Sequence, residues 1–138
     1  MGVGIGEIAQ AGSRYRQART PAHAAATATE VVVVANWDKA VKLINAWFIP
    51  DTIVTGQATN YTNLNLLNDG TTAAGTELSN LDYDGTAVVS TAARVRVAWT
   101  IATPSTQAAA STTSVQFEKV GTGLAIPAGI VVLEYAYA

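Results

Sequence analysis

The sequence predicts an all-β protein, an antiparallel β-sandwich or jelly roll of about eight strands. Short runs of alternating apolar and polar residues recur along the chain, and turn sequences such as Asn-Asp-Gly and Asp-Gly separate them. No convincing helix lies between these runs, whereas a parallel sheet would need crossover helices. The 138 residues are enough for one domain with one core.

The first 29 residues differ in composition from the rest. They begin with alternate glycines and continue as a run of small residues that Pro21 interrupts. Such a segment has too few large apolar side chains to order itself by burial. We therefore predict an extended N-terminal arm at 1–29 and a β-sandwich domain at 30–138.

Apolar alternation defines the first predicted strands of the domain. The β-branched run "EVVVV" begins at residue 30, and "VKLINAWFIP" follows it and ends at Pro50. The residues predicted on the inner face of this second strand are Val41, Leu43, Trp47 and Ile49. In the third strand, leucines are predicted to point inward and asparagines outward. These residues are Leu64 and Leu66, and Asn63 and Asn65.

Later strands repeat the pattern. Shorter ones are predicted in "TELSNLD" and "TAVVS", and the clearest alternation of all is in "ARVRVAWTI". The inner positions of that strand are Val95, Val97, Trp99 and Ile101, and the outer ones are Arg94, Arg96 and Ala98. A hairpin of "SVQFEKV" and "GIVVLEYAY" closes the domain, with Val115 and Phe117 inward.

The loop of this hairpin, "KVGTGLAIPAG", contains a Gly-x-Gly pattern that also occurs in nucleotide-binding loops. A dinucleotide loop needs a third glycine and a following helix, whose N-terminal amides hold phosphate. Ile126 occupies the third glycine position, and another strand follows. We therefore predict a turn at Gly121 and Gly123, and no cofactor.

Residue types that carry catalysis are scarce. The chain has no cysteine, which excludes disulfides, thiol nucleophiles and Cys-based zinc sites. Its one histidine, His23, lies in the predicted arm, where no pocket would hold it as a catalytic base. We therefore predict that the protein is not an enzyme and has no catalytic residue and no metal.

Two other kinds of site remain open as alternatives. Asp82 and Asp84 lie close together at a predicted strand end. With Asp69 or Glu77 they would offer the oxygen ligands that Ca²⁺ takes, although an Asp-Gly turn with a solvated Asp82 is the preferred interpretation. Trp37 lies beside a turn, where an exposed ring would serve as a platform for sugar.

Charge is sparse over the whole chain. Only 13% of the residues are charged, against roughly 25% in an average domain, so much of the surface is predicted to pack against copies of the chain or a larger partner. The net charge of −2 gives no reason to expect nucleic acid. Because the sequence has neither a run of roughly 18 apolar residues nor the pattern of a signal peptide, we expect no membrane partner and synthesis in the cytoplasm.

Three blocks of the predicted domain together resemble a known family. They are "VVVVANWDKAVKLINAWFIPDTIVTGQAT", "LNLLNDGTTAAGTEL" and "VQFEKVGTGLAIPAGIVVLEYAYA". In the order of their strands and loops and in residue composition, they resemble the β-sandwich decoration proteins of tailed bacteriophages, also called cement or head-fibre proteins. The resemblance covers most of residues 30–138.

This resemblance implies a structural protein on the exterior of the virion. It would bind the assembled lattice of the major capsid protein as a homotrimer and cement neighbouring subunits, with the arm as a clamp. The arm residues assigned to this contact are Ile5, Ile8, Arg14, Tyr15, Arg16 and Arg19.

Two alternative functions are compatible with the same pattern of strands and composition. The first is a phage fibre or receptor-binding module for carbohydrate. Its groove would combine an exposed Trp37 with Tyr61, Tyr83 or Asp82. The second is another shell or tail subunit of the virion.

Overall fold

The structure is a computed structural model that describes residues 15–20, 29–68, 75–88, 90–101, 105–121 and 127–138. These residues contain eleven β-strands and no helix. The strands are β1 (Arg16–Arg19), β2 (Glu30–Asn36), β3 (Val41–Pro50), β4 (Val54–Thr55), β5 (Tyr61–Asn68), β6 (Thr76–Asp82), β7 (Ser90–Thr91), β8 (Val97–Ala98), β9 (Ser105–Gln107), β10 (Thr112–Val120) and β11 (Gly129–Tyr137).

The strands form an antiparallel β-sandwich, which confirms the predicted fold class. A five-stranded sheet has the order β1-β11-β3, and both β8 and β9 pair with the far edge of β3. A four-stranded sheet has the order β2-β10-β5-β6, and β4 pairs with β7 in a separate two-stranded ribbon. The last described strand therefore lies inside the first sheet, between β1 and β3. The predicted closing hairpin of β10 and β11 is wrong, because the two strands lie in different sheets.

The core lies between the two larger sheets. Phe48 of β3 meets Phe117 of β10 edge to face, with ring centroids 5.8 Å apart, and the indole nitrogen of Trp99 donates a hydrogen bond of 2.8 Å to the carbonyl oxygen of Leu64. Both contacts join one sheet to the other. The buried core residues are Trp37, Val41, Leu43, Ala46, Phe48, Val54, Leu64, Leu66, Leu81, Tyr83, Trp99, Val115, Phe117, Val131 and Leu133.

Alternation predicts the inner face of the four-stranded sheet correctly. Leu64 and Leu66 of β5 are fully buried in the core, as are Val115 and Phe117 of β10. Register pairs Phe117 with Leu64 and Val115 with Leu66. Because neither β5 nor β10 contains an inserted residue in this stretch, the period of two is unbroken and the sequence pattern can be read directly.

The second predicted strand is correct in its bounds but wrong in half of its inner face. Leu43 pairs with Tyr135 and Asn45 with the neighbouring Glu134, so Ile44 is an extra residue and forms a β-bulge. The bulge reverses the alternation. Beyond it Phe48 is inside, whereas Trp47 and Ile49, which were predicted to be inside, lie on the outer face.

The predicted strand in "ARVRVAWTI" is largely a turn followed by a short strand. Arg94 has a φ of 62°, a left-handed conformation that ends the extended chain. Strand β8 contains only Val97 and Ala98. Val97 packs against the core as expected, but Val95, predicted to be inside, is 53% exposed because it precedes the strand.

The first strand lies within the segment that was predicted to be an arm. Arg16–Arg19 pairs with β11, from Arg16 opposite Tyr135 to Arg19 opposite Val132. Thr20 fixes the end of this strand, since its amide donates to the Val131 carbonyl and its hydroxyl accepts from the Val131 amide, each at 3.0 Å. The sheet therefore extends across the boundary expected at residue 30. A strand of four mostly polar residues has no apolar alternation to reveal it.

Two predicted turns are present. Gly85 and Gly121 have φ values of 83° and 82°, which residues with a side chain rarely adopt. The carboxylate of Asp84 accepts hydrogen bonds from the amides of Thr86 (2.6 Å) and Ala87 (2.7 Å), an arrangement typical of an Asx turn. These bonds hold the pKa of Asp84 below its usual range. Gly123 lies outside the described residues.

Buried Tyr83 makes the stability of the fold depend on pH in the alkaline range. Its side chain is fully buried and its hydroxyl lies 2.8 Å from the Thr91 hydroxyl. Burial raises the pKa of Tyr83, and the bond to Thr91 offsets part of that effect. Tyrosine ionises near pH 10 in the unfolded chain, so the stabilisation is complete below that pH and is lost as the pH rises toward the folded-state pKa.

Replacing Tyr83 with phenylalanine should therefore have opposite consequences at neutral and alkaline pH. At pH 7 we expect a loss of about 1 kcal/mol, because Thr91 loses its buried partner. Above pH 10 the melting temperature of the variant should fall less steeply than that of the natural chain. Thermal melts between pH 8 and 11 measure both slopes, and parallel slopes would contradict the assignment.

Candidate functional site

The outer face of the five-stranded sheet carries an apolar area that the bulge in β3 creates. Ile49 pairs with Ile130, and Trp47 pairs with Val132 on one side and with Ala98 on the other. All five side chains share one face because partners across an antiparallel pair point to the same side. Their inward neighbours along the strands, among them Phe48, fill the core.

Two loops at the Pro50 end of β3 also carry exposed apolar side chains. Ile53 is 63% exposed and Val95 is 53% exposed, values that are high for large apolar side chains. Their loops meet there, since the amide of Arg94 donates to the Pro50 carbonyl at 2.7 Å. We use the term Trp47 surface for Trp47, Ile49, Ile53, Val95, Arg96 and Ile130.

Trp47 is the largest side chain of this surface and has a cationic neighbour. The guanidinium carbon of Arg96 lies 4.8 Å from the centroid of the indole ring. A cation at this distance is attracted to the ring by the charge distribution of the π system. Trp47 is half-buried while Arg96 is exposed, so the pair offers both a flat apolar face and a fork of hydrogen-bond donors.

The surroundings of the Trp47 surface are polar. Arg19 pairs with Val132 from the β1 side. Further along the sheet, the Asn45 amide donates to the Glu134 carboxylate at 2.8 Å. Tryptophan and arginine contribute most often to binding energy at protein interfaces, where a polar rim surrounds an apolar centre. The arrangement is chemically suited to binding another protein.

The arm residues predicted as contacts fall into two groups. Ile5, Ile8 and Arg14 lie outside the described residues, as does His23. Tyr15, Arg16 and Arg19 are exposed, but their strand is attached to the body. Arg16 lies 4.9 Å from the centroid of the Tyr137 ring, and Arg19 donates to the Gln17 side chain at 3.0 Å. Of the three, Arg19 is adjacent to the row that contains Trp47.

The platform for sugar that Trp37 was expected to offer is not formed. Trp37 is only 6% exposed. Its indole nitrogen donates to the Thr113 hydroxyl at 2.8 Å, and its ring packs edge to face on Tyr135 at 4.7 Å. Tyr83, another proposed groove residue, is fully buried.

The predicted acidic turn contributes charge but no obvious metal centre. Among the described residues, no three histidine, cysteine, aspartate or glutamate side chains come together to hold a metal ion. Asp84 is engaged by its own turn. Asp69 lies outside the described residues. Asp82 is half-buried at the end of β6.

Sequence reasoning missed the Trp47 surface. Trp47 and Ile49 were assigned to the core because strict alternation from Val41 places them there. No residue type marks a bulge at Ile44, so the sequence contained no signal that would have corrected the register. Arg96, in contrast, was correctly expected on the outside.

Comparison with known proteins identifies no relative. No protein-family model matches the chain, and neither a curated protein nor a solved structure matches it. Within the described part of the chain, no helix has the length and apolar character needed to cross a membrane. The fold, the Trp47 surface and the resemblance in sequence are therefore the basis for a proposal of function.

Proposed function

We propose that the chain is a structural virion protein that binds the outside of an assembled tailed-phage capsid and cements neighbouring subunits. The observation that carries this proposal is the Trp47 surface, a partly exposed apolar area that contains a tryptophan beside an arginine. Monomeric proteins keep such areas small unless a partner covers them. The resemblance of the sequence to phage decoration proteins favours the lattice of the major capsid protein as that partner.

The low charge of the chain supports the same proposal. A surface with few lysines and glutamates costs little to desolvate when it packs against protein. A homotrimer on the capsid exterior would bury part of this surface between its own copies and part against the lattice. Because such a protein binds the assembled lattice and not the free subunit, its binding energy stabilises the assembled state.

The sandwich and the arm would share the contact. Strand β1 attaches residues 16–19 to the body, so Arg16 and Arg19 reach the lattice from the sheet and not from a free arm. The resemblance still assigns a clamp to the residues before Tyr15. No catalytic group, cofactor or metal takes part in this function, which is mechanical cross-linking.

Charge placed on the Trp47 surface should abolish attachment. We expect Val95→Glu to weaken binding to assembled heads at least about tenfold, because the carboxylate would be buried against an apolar interface. Val33→Glu is the matched control, since Val33 is an exposed valine (39%) on the four-stranded sheet. Co-sedimentation with phage heads that lack this protein measures binding, and a heat challenge of the heads measures cementing.

The natural chain and the Val33 variant should bind and protect the heads against heat, and the Val95 variant should do neither. Equal loss in both variants would move the contact away from the Trp47 surface. If the natural chain itself does not bind heads, the virion proposal fails. A glycan array would then test the receptor-binding alternative, with the half-buried Trp47 as the ring that contacts sugar.

A further inference from the structure

The outer face of the four-stranded sheet carries a row of oxygen-rich side chains. Asn63 of β5 pairs with Glu118 of β10 on one side and with Asp82 of β6 on the other. In the next row Asn65 lies between Gln116 and Asn80. Three adjacent strands therefore present carboxylates and amides on one face, well away from the Trp47 surface on the other sheet.

The hydrogen bonds on this face fix how the two amides are turned. The Asn65 side-chain nitrogen donates to Gln116 Oε1 at 3.0 Å and to Glu118 Oε2 at 3.1 Å. The Asn63 nitrogen donates more weakly to the same Glu118 oxygen, at 3.5 Å. Both side-chain nitrogens thus face β10. The amide oxygens therefore face the opposite side, where β6 lies.

Three oxygens on this face are buried and accept no hydrogen bond. They are Asn63 Oδ1, Asn65 Oδ1 and Asp82 Oδ1. Asn65 is only 5% exposed, so solvent does not compensate its oxygen. An uncompensated buried acceptor costs about 1–3 kcal/mol. Three acceptors on two adjacent strands, none of which receives a hydrogen bond, favour a positively charged group at this place.

The charges around Asp82 also favour a positively charged ligand on this face. Burial raises the pKa of Asp82, and the neighbouring carboxylates of Asp84 and Glu118 raise it further. Asp82 raises the pKa of Tyr61, which begins β5, and burial, Asp84 and Glu118 add to this effect. The face therefore combines negative charge with orphaned oxygens.

We propose that this face binds a hard divalent cation of the calcium type. The ligands would be the carboxylate of Asp82 and the amide oxygens of Asn63 and Asn65, while Glu118 holds the two amides in place by accepting their N–H groups. Calcium takes carboxylate and amide oxygens in flexible arrangements, whereas magnesium demands a stricter octahedron. All three side chains offer only oxygen to the ion, which disfavours zinc. The cation would join β5 and β6 and stabilise the sheet.

Thermal melts of the full chain, treated with chelator and then titrated with CaCl₂, test this site. In 10 mM Ca²⁺ we expect the melting temperature of the natural chain to rise by about 5 °C. Asp82→Asn should lose this rise, because it removes the one carboxylate among the ligands. Asp51→Asn, which changes an exposed carboxylate outside the site, should keep it. Titration calorimetry with Ca²⁺ alone measures the affinity directly.

A gain-of-function variant keeps the test decisive even if Asp82→Asn impairs folding. Asn63→Asp adds a carboxylate at the centre of the row, so it should bind Ca²⁺ at least as tightly as the natural chain and melt lower without the ion. A natural chain whose melting temperature and calorimetric heat do not respond to Ca²⁺ would overturn the proposal. An equal response in the Asp82 variant would overturn it as well.

The competing explanation is a proton shared by Asp82 and Asn63. A raised pKa means that the stabilisation is present when Asp82 is protonated and is lost as the pH rises through its folded value. In that case Asp82→Asn would raise the melting temperature at pH 7, and Ca²⁺ would have no effect on either chain. This pair of results would also overturn the cation site. Neither result depends on attachment to phage heads.

Discussion

Replacing Phe48 with alanine is expected to lower the free energy of unfolding by about 3–5 kcal/mol. Phe48 is fully buried and meets Phe117 of the opposite sheet edge to face, with an angle of 72° between the rings. The substitution would remove the ring and leave a cavity that the two sheets cannot close, because each is held by its own ladder of hydrogen bonds.

Urea denaturation measures this loss, and Ile49→Ala is the matched control. Ile49 is the next residue along β3 but lies on the outer face and is half-buried, so its truncation should cost only about 1 kcal/mol. The double variant with Phe117→Ala should reveal a coupling of about 0.5–1.5 kcal/mol between the rings. Equal costs at positions 48 and 49 would mean that the inner and outer faces of β3 have been assigned wrongly.

Replacing Gly129 with alanine is expected to destabilise the fold by about 3 kcal/mol, although only one methyl group is added. Gly129 is buried at the start of β11, opposite Pro50. A Cβ atom there would collide with the carbonyl oxygen of Ile49 and would lie 2.7 and 2.8 Å from two ring carbons of Phe48. The backbone oxygen cannot move without disturbing the pairing of β3 with β11.

Gly85→Ala separates this steric effect from a purely conformational one. Gly85 has a positive φ, but an added Cβ would find its nearest atoms at an ordinary 3.7 Å. We expect a loss of about 1 kcal/mol from backbone strain alone. Chemical denaturation of the two variants side by side gives the comparison. A cost at Gly129 no larger than that at Gly85 would contradict the close approach of β11 to β3.

The fold class could be predicted because its signal is local. From Leu64 to Leu66 in β5 and from Val115 to Phe117 in β10 the register is unbroken, so these four residues could be assigned to the core from the sequence alone. The Asp-Gly turn at Gly85 follows from conformational preference at single residues. Each of these features depends on a few neighbours in the chain, which the sequence displays directly.

The remaining features depend on contacts between distant residues. The bulge at Ile44 is defined by the pairing of β3 with β11, which continues on both sides of it. No residue of "VKLINAWFIP" indicates this bulge. Arg94 turns the chain where alternation predicts a continuing strand. Strand β1 is held by a partner more than a hundred residues away in sequence, so local composition makes it look like an arm.

The candidate sites likewise combine features that are visible in the local sequence with features that depend on distant contacts. Reversal of the alternation by the bulge moved Trp47 outward, so the surface that supports the proposed function could not be foreseen. The oxygen-rich face was partly visible, since Asn63 and Asn65 were expected outside and Asp82 was considered as a ligand of Ca²⁺. Its partner Glu118 becomes evident only when β10 is placed beside β5.

The position of β11 also determines when the protein can fold during its synthesis. This strand is translated after the other ten described strands, yet it pairs with both β1 and β3. While the ribosome is still making it, β3 has an open edge and β1 has no partner in the described sheet. The five-stranded sheet therefore closes only after Tyr137 has left the ribosome. Pairings this distant in sequence form within about milliseconds to seconds, an interval in which the new chain is exposed to aggregation and to chaperones.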